Sequence, residues 1–169
     1  MATTGGRTEI ARQGRESQRY MCKDGIMHRL VVGVIPYVPS ETNDLPVVLL
    51  INSRKHPEEW VFPKGGWEDD ETSEECGVRE AWEESGCIGT IVGELVRDQC
   101  IGKMKKEQLH TYYSLEVSAM EDTWPEKSER DRQLICPFKA RDMLEQQTRR
   151  KDRRIVLEAL DKFIQQFSA

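Results

Sequence analysis

The stretch of sequence that decides the fold is GGWEDDETSEECGVREAWEESGC, from Gly65 to Cys87. It contains nine acidic residues and one base, Arg79, so its net charge is −8 in a chain whose total is −5. The remainder of the 169 residues is therefore slightly basic. A short acidic block in a chain whose other residues are slightly basic is what a site needs if it holds divalent cations and a polyanionic substrate above them.

The second half of this stretch predicts a helix over residues 73–85. Thr72 is a candidate N-cap, and Glu75, three residues later, completes a capping box. Gly86 supplies the glycine that commonly ends a helix. Residues 63–66, just before, are predicted to form a loop because their two glycines release the backbone.

An advance of about 100° per residue places Glu80, Glu83 and Glu84 on one face of this helix. Like charges at these spacings destabilise an isolated helix by roughly 0.2–0.5 kcal/mol per pair. Mg²⁺ or Mn²⁺ would offset the repulsion, since hard cations prefer carboxylate oxygens. Arg79 could pair with Glu71 or another acid and orient the cluster. The alternative, from these three acids alone, is a solvent-facing acidic helix.

The flanking sequence predicts an α+β fold. Apolar, β-branched runs predict strands at 30–37, 47–51, 59–62, 89–92, 95–97 and 109–117, and an apolar stripe predicts helix within 139–167. We therefore expect a curved mixed sheet with helices packed on it. Residues 1–18 are polar and aperiodic and predict a flexible arm, whereas residues 19–169 predict a single domain.

Composition excludes several classes of protein. No apolar run approaches the roughly 20 residues that cross a bilayer, so we expect no membrane partner and a cytoplasmic, or cytoplasmic and nuclear, location. Secretion remains an alternative only if a signal peptide before residue 1 has been removed. The five cysteines are scattered and odd in number, which indicates neither a disulfide framework nor a zinc site. We further expect a monomer that forms no stable complex with nucleic acid.

From Gly65 the spacing reads G-x5-E-x7-R-E-A-x-E-E-x-G-C. It resembles the signature box of the Nudix hydrolases, G-x5-E-x7-R-E-U-x-E-E-x-G-U, in which U is a bulky aliphatic residue. Every fixed letter is matched. Ala81 and Cys87, at the two U positions, are small apolar replacements that remove no ligand.

The resemblance implies an α/β/α sandwich with a loop–helix–loop site that binds one to three Mg²⁺ or Mn²⁺ ions. Its chemistry is attack by water at a phosphorus of a diphosphate. Carried over by position, Glu80, Glu83 and Glu84 are the metal ligands, and Glu84 or Glu80 doubles as the base toward water. A backbone carbonyl of Lys64 or Gly65 is a further metal ligand.

The sequence outside the signature box indicates a subgroup of this family. Residues 14–20, 29–37, 61–71 and 124–126 look like fungal and plant members of the diphosphoinositol polyphosphate phosphohydrolase and diadenosine polyphosphate hydrolase subgroup. This implies a small-molecule polyphosphate substrate. The expected reactions are release of phosphate from a diphosphoinositol polyphosphate and cleavage of diadenosine polyphosphates, with inorganic polyphosphate as a further substrate.

Such substrates require many donors around the metal ions. The candidate substrate-binding residues are Arg19, His28, Arg29, Arg54, Lys55, Lys64, Gly65, Gly66, Lys103, Lys105, Lys106 and Arg132, with Arg130 as an additional cation. Two alternatives stay open. One is a Nudix pyrophosphatase for an oxidised nucleotide, a nucleotide sugar or an RNA cap, and the other is a sensor that binds a polyphosphate ligand without cleaving it.

Overall fold

The computed structural model describes residues 7–42, 44–101 and 106–168. Along these ranges the elements are β1 (Tyr20–Lys23), β2 (Ile26–Val38), β3 (Val47–Asn52), β4 (Trp60–Val61), β5 (Lys64–Gly66), α1 (Ser73–Ser85), β6 (Cys87–Ile101), β7 (Glu107–Met120), β8 (Arg132–Ile135), α2 (Pro137–Gln146) and α3 (Arg153–Phe167). Within these residues no helix is both long enough and apolar enough to span a bilayer.

The strands form one mixed sheet centred on the long strand β2. Its backbone pairs in parallel with β7 and antiparallel with β1, β3 and β5. Strand β7 continues into an antiparallel pair with β6, and β3 pairs antiparallel with β4 and β8. The main path across the sheet is β4-β3-β2-β7-β6.

Helices cover both faces of this sheet. Val32 and Val34 of β2 pack into the cluster that contains α1, whereas Ile35 and Tyr37 pack into the cluster that contains α2 and α3. The change of side follows from the alternation of side chains along a strand. The predicted α+β sandwich with a mixed sheet is confirmed.

Several predicted elements have different bounds. Residues 64–66, predicted as loop, are strand β5, because a backbone without bulky side chains at Gly65 and Gly66 pairs with residues 31–33. The strands predicted at 89–92 and 95–97 are one strand, β6, interrupted by shifts of register. The helical region 139–167 is two helices, and Phe167, at the end of its stripe, is 40% exposed. Strands β1 and β8 were not predicted.

The N-terminal segment packs against the domain. The side-chain amide of Gln18 donates to the carbonyls of Leu30 (2.9 Å) and Trp67 (3.0 Å). Farther along, the indole of Trp82 on α1 donates to the carbonyl of Thr8 (2.9 Å). Sequence analysis did not anticipate these contacts, and the flexibility of the arm and the domain boundary at residue 19 stay predictions.

Candidate active site

Helix α1 starts and ends where its sequence predicts. The Thr72 hydroxyl accepts from the Glu75 amide (3.1 Å), and the Glu75 carboxylate accepts from the Thr72 amide (3.2 Å). At the other end Gly86 has a φ of 70°, in the left-handed region, and its amide donates to the Trp82 carbonyl (3.0 Å). These caps fix which residues of the helix face the sheet.

The three acids of α1 point into the protein. Glu80, Glu83 and Glu84 are 7%, 3% and 9% exposed, so the alternative of a solvent-facing acidic helix is wrong. Ala81 packs into the core as expected, whereas Trp82 stays half-buried beneath the N-terminal segment. The acids therefore line a cavity instead of a free surface.

Arg79 ties the acids together. Its guanidinium donates twice to the Glu71 carboxylate (2.9 and 2.7 Å), once to Glu80 Oε1 (2.7 Å) and once to Glu83 Oε2 (3.3 Å). It also donates to the Gly66 carbonyl (3.0 Å), which joins the cluster to β5. The pairing of Arg79 with Glu71 was predicted, and the structure extends it to two acids of the cluster.

Glu84 is held from two other elements. Its carboxylate accepts from the backbone amide of Lys64 on β5 (3.1 Å) and from the guanidinium of Arg130 (3.0 Å). Arg130 donates in turn to Glu126 (3.0 Å), another buried acid, which also pairs with Arg54 (3.1 Å). Sequence analysis assigned Glu126 no role, and the stretch Trp124-Pro-Glu126 was the signal that could have indicated it.

The guanidinium groups of Arg79 and Arg130 do not fully compensate the negative charge of these buried acids. Burial raises the pKa of Glu80 to about 7, outweighing the opposite effect of Arg79, and Glu83 adds to the rise. Burial also raises the pKa of Glu83 and, well above its usual value, that of Glu84. A bound cation would stabilise the ionised form of these carboxylates.

A divalent ion fits this donor set in its chemistry. Carboxylates and backbone carbonyls are the ligands that Mg²⁺ and Mn²⁺ prefer, and Gly65 leaves space at the cluster, since a Cβ there would collide with the Glu80 carboxylate. The described residues hold no preformed set of three acidic, histidine or cysteine ligands. Carboxylates now bound to Arg79 and Arg130 would therefore have to turn toward the ion.

The acids open into a cavity of about 510 Å³ between α1, β5, the N-terminal segment and residues 125–129. Five of the candidate substrate-binding residues line it, together with the three acids: Arg29, Arg54, Lys64, Gly65 and Gly66. The side-chain ammonium of Lys64 forms an ion pair with Asp152. The cavity thus combines a buried acidic floor with cations on its walls.

The other candidates lie elsewhere. Arg19 anchors the loop before α1, donating to the carbonyls of Glu68 (2.8 Å), Asp69 (2.8 Å) and Glu71 (3.1 Å). Arg132 donates to the Ser85 carbonyl (2.7 Å) and stacks 4.2 Å from the centre of the Trp124 ring. Both guanidinium groups are thus used to hold the ends of α1.

Of the remaining candidates, His28, Lys55 and Lys106 do not line the described cavity. His28 is buried, with Nδ1 3.0 Å from the Ile26 carbonyl. Lys55 and Lys106 are exposed. Lys103 and Lys105 lie outside the described residues.

A buried carboxylate cluster that calls for cations, facing a cavity with guanidinium groups on its wall, is suited to hydrolysis of phosphate anhydrides. The comparisons agree with this class. The sequence model of the NUDIX domain family matches residues 27–159. The chain belongs to the Nudix family, which supports hydrolysis of pyrophosphate bonds as its activity and, as a general family property, the use of divalent ions such as Mg²⁺ or Mn²⁺.

Relatives of known family share much of the chain. Nudix hydrolase 4 of Arabidopsis thaliana is 36% identical over 142 residues, which cover 79% of this chain and 66% of the relative. Nudix hydrolase 16, mitochondrial, of the same plant is 38% identical over 141 residues, covering 75% of this chain and 76% of the relative. A solved NUDIX hydrolase from Nitrosomonas europaea matches with a TM-score of 0.66 over 82% of this chain and 90% of that one. At 12% identity this likeness shows the fold alone.

Proposed function

We propose that this Nudix hydrolase removes phosphate from diphosphoinositol polyphosphates and also cleaves diadenosine polyphosphates, with inorganic polyphosphate as a further substrate. The observation that carries the proposal is the environment of Arg29. Its guanidinium lines the cavity beside Gly66 and donates to a neutral acceptor, the Gln18 amide oxygen (2.9 Å). No acid of the described residues forms an ion pair with it.

The Arg29 guanidinium is therefore available to bind an anionic group of a substrate. Burial lowers the pKa of its guanidinium, and the neighbouring charge of Arg15 lowers it further. The charge of Glu80 offsets these effects only in part, and a substrate phosphate bound to Arg29 would offset them further. A second guanidinium, that of Arg54, lies on the rim, so a ligand with phosphates around its whole periphery would meet several cations at once.

The cavity wall also bears on the alternative substrates. None of the described residues that line it is aromatic, so it offers no surface on which a nucleobase would stack. An oxidised nucleotide, an RNA cap and the two adenosines of a diadenosine polyphosphate would all lack that contact here. A densely phosphorylated cyclitol requires no such contact, and a diadenosine polyphosphate would be bound through its chain of phosphates.

The proposed roles of the acids are those of the matching positions in the Nudix signature box, and their contacts are compatible with these roles. One to three Mg²⁺ or Mn²⁺ ions, when bound, would neutralise phosphate oxygens and lower the pKa of water. Glu80, Glu83 and Glu84, with a backbone carbonyl of Lys64 or Gly65, would hold them. Glu84, oriented by the Lys64 amide and Arg130, or Glu80, with its pKa raised to about 7, would accept the proton from water.

The test is chromatographic separation of the phosphorylated products formed from a substrate panel with Mg²⁺, with Mn²⁺ and with excess chelator, because only some of these substrates release orthophosphate. The panel contains a diphosphoinositol pentakisphosphate, diadenosine hexaphosphate, inorganic polyphosphate, an oxidised nucleoside triphosphate, a nucleotide sugar and a cap dinucleotide. We expect the first two to give the highest kcat/KM and chelator to abolish turnover. Higher kcat/KM on a mononucleoside derivative would contradict the proposal, and tight binding without turnover would identify a sensor.

Arg29 provides the link between substrate class and structure. Arg29→Met should raise KM for the diphosphoinositol substrate by roughly tenfold or more, because a phosphate loses a charged donor. Arg141→Met is the matched control, since that guanidinium pairs with Asp161 at the surface between α2 and α3. Equal KM values in the two variants would show that Arg29 does not contact the substrate.

A further inference from the structure

We propose that Asp152, the residue that precedes α3, is a positioning residue that holds the Lys64 ammonium away from the acid cluster and so keeps Glu84 available to cations. The inference rests on the proposed role of the cluster as a metal site. It assigns a function to an ion pair between residues 88 positions apart in the sequence.

Lys64 lies in direct contact with the cluster through its backbone. Its amide donates to Glu84 Oε2 (3.1 Å), and β5 is fixed there by pairing of Lys64 with Gly33. A lysine side chain starting from this point carries a flexible point charge next to buried acids. Without another partner, an ammonium so placed would pair with Glu84 and occupy oxygens that a divalent ion needs.

Asp152 supplies that other partner. Its carboxylate is 6% exposed and binds the Lys64 ammonium, with Arg150 Nε 3.3 Å from its second oxygen. The charge of Lys64 is thus compensated on the side of α3.

The local structure of α3 indicates that this carboxylate is committed to Lys64. Aspartate at the position before a helix usually accepts from an amide of the first turn, which stabilises the helix by about 1 kcal/mol. Asp152 stands at that position and makes no such side-chain bond. The helix instead is anchored by its apolar side, with Ile155, Ala159 and Leu160 almost fully buried.

The experiment measures the dissociation constant for Mn²⁺ by calorimetry, without substrate. Asp152→Asn should weaken Mn²⁺ binding by about tenfold or more, the range found when residues behind metal ligands are removed. The double variant Lys64→Met with Asp152→Asn should bind Mn²⁺ more tightly than Asp152→Asn alone, because the competing ammonium is gone. Thermal melts of the three proteins accompany the binding curves, because Lys64→Met could also relieve a fold defect caused by the unpaired ammonium. Rescue of Mn²⁺ binding without a matching recovery of the melting temperature is the expected result.

Asp161→Asn is the matched control, since Asp161 lies on the same helix and pairs with Arg141 at the surface. Unchanged Mn²⁺ affinity in Asp152→Asn, or no rescue by Lys64→Met, would overturn the inference. A wild type that binds no Mn²⁺ would overturn both the inference and the proposed function, whereas a different preferred substrate would leave this test untouched.

A measurement on the wild type guards against a variant that fails to fold. The ammonium signal of Lys64 in NMR spectra should be slow to exchange with solvent and should show nuclear Overhauser contacts to the Asp152 side chain, with and without Mg²⁺, because its partner is Asp152. Contacts to the Glu84 side chain in place of Asp152 would put the ammonium on the acid cluster and overturn the inference.

Discussion

At the scale of single residues, α1 buries carboxylates whose neutral form is favoured in the absence of metal. Glu80 shows this effect, since burial and neighbouring acids raise its pKa from the ordinary 4.5 to about 7. A folded state that holds such a group ionised loses stability that a neutral side chain of the same shape would retain. The same carboxylate is expected to be indispensable once a cation is bound.

Glu80→Gln should therefore raise the melting temperature of the chelated protein while abolishing activity. Between pH 4.5 and about 7 the folded wild type binds more protons at Glu80 than the unfolded chain does, so its stability falls as the pH rises. The amide of the variant does not titrate. Thermal melts in chelator should show a gap of about 5 °C at pH 8 that closes toward pH 5. A gap of equal size at both pH values would contradict the argument.

Glu83→Gln and Glu84→Gln should each lower kcat by roughly a hundredfold or more, because an amide keeps the shape of a ligand and loses its charge. Steady-state kinetics and thermal melts together separate this from unfolding. Glu74→Gln is the control, as Glu74 is an exposed acid in the first turn of the same helix. Near-normal kcat in both cluster variants would show that the reaction does not take place at the acid cluster.

Gly65→Ala tests the space beside the cluster. A Cβ at this position would collide with the end of the Glu80 side chain, which can move aside, so folding should survive. The displaced carboxylate should lower kcat by roughly a hundredfold. Gly93→Ala, in β6, meets nothing within 4 Å and is the control. Wild-type kcat in Gly65→Ala would show that the position of Glu80 is not critical.

At the scale of elements, local signals were the most dependable guide. The capping box and Gly86 fixed α1 because a helix end is decided by a few neighbouring residues. Strand β5 escaped prediction because its pairing with residues 31–33 is a long-range contact, whereas Pro63 and the glycines carry the local signal of a loop. The contacts of residues 7–18 have the same origin, since polar residues without periodicity carry no signal for a docking position.

That N-terminal segment covers one carboxylate of the cluster. The backbone amide of Arg12 donates to Glu83 Oε1 (3.2 Å), and the Arg12 guanidinium pairs with Glu68 and, at 2.8 Å, with Asp70. Deleting residues 1–13 should leave the domain folded, because these ion pairs lie at the surface and are individually weak. Mn²⁺ binding should tighten by a few fold in calorimetry, since Glu83 loses a competing donor. Weaker binding would show instead that the segment completes the site.

At the scale of the whole molecule, the sequence predicts the class of fold and the acid cluster better than the substrate contacts. The acids belong to one helix, so their spacing alone places them together. The cations come from separate elements, and similar residues serve different ends: Arg29 faces the cavity, whereas Arg19 and Arg132 anchor α1. Tertiary packing decides which basic side chains have a partner within the protein and which face the cavity. The expected cytoplasmic location and monomeric state stay predictions.

Charge distribution over the whole molecule leads to the last prediction. The acidic block would repel a polyphosphate before it reaches the site, and the basic residues outside the block must offset that field. Lys103, Lys105 and Lys106 lie between β6 and β7, and Lys106, the one of the three that the structure describes, is exposed. Long, flexible side chains in a connection between strands are suited to capture of the substrate.

Replacing the three lysines by serine should raise KM and leave kcat nearly unchanged, because capture contacts are equally strong in the ground and transition states. The effect should shrink as salt is added, since exposed charges are screened over about 8 Å at physiological ionic strength. Steady-state kinetics at low and high salt, with a diphosphoinositol and a diadenosine substrate, measure it. Lys139→Ser with Lys162→Ser, on exposed positions of α2 and α3, is the control. An unchanged KM at low salt would mean that this connection faces away from the site, and a fall in kcat alone would mean that it takes part in the chemistry.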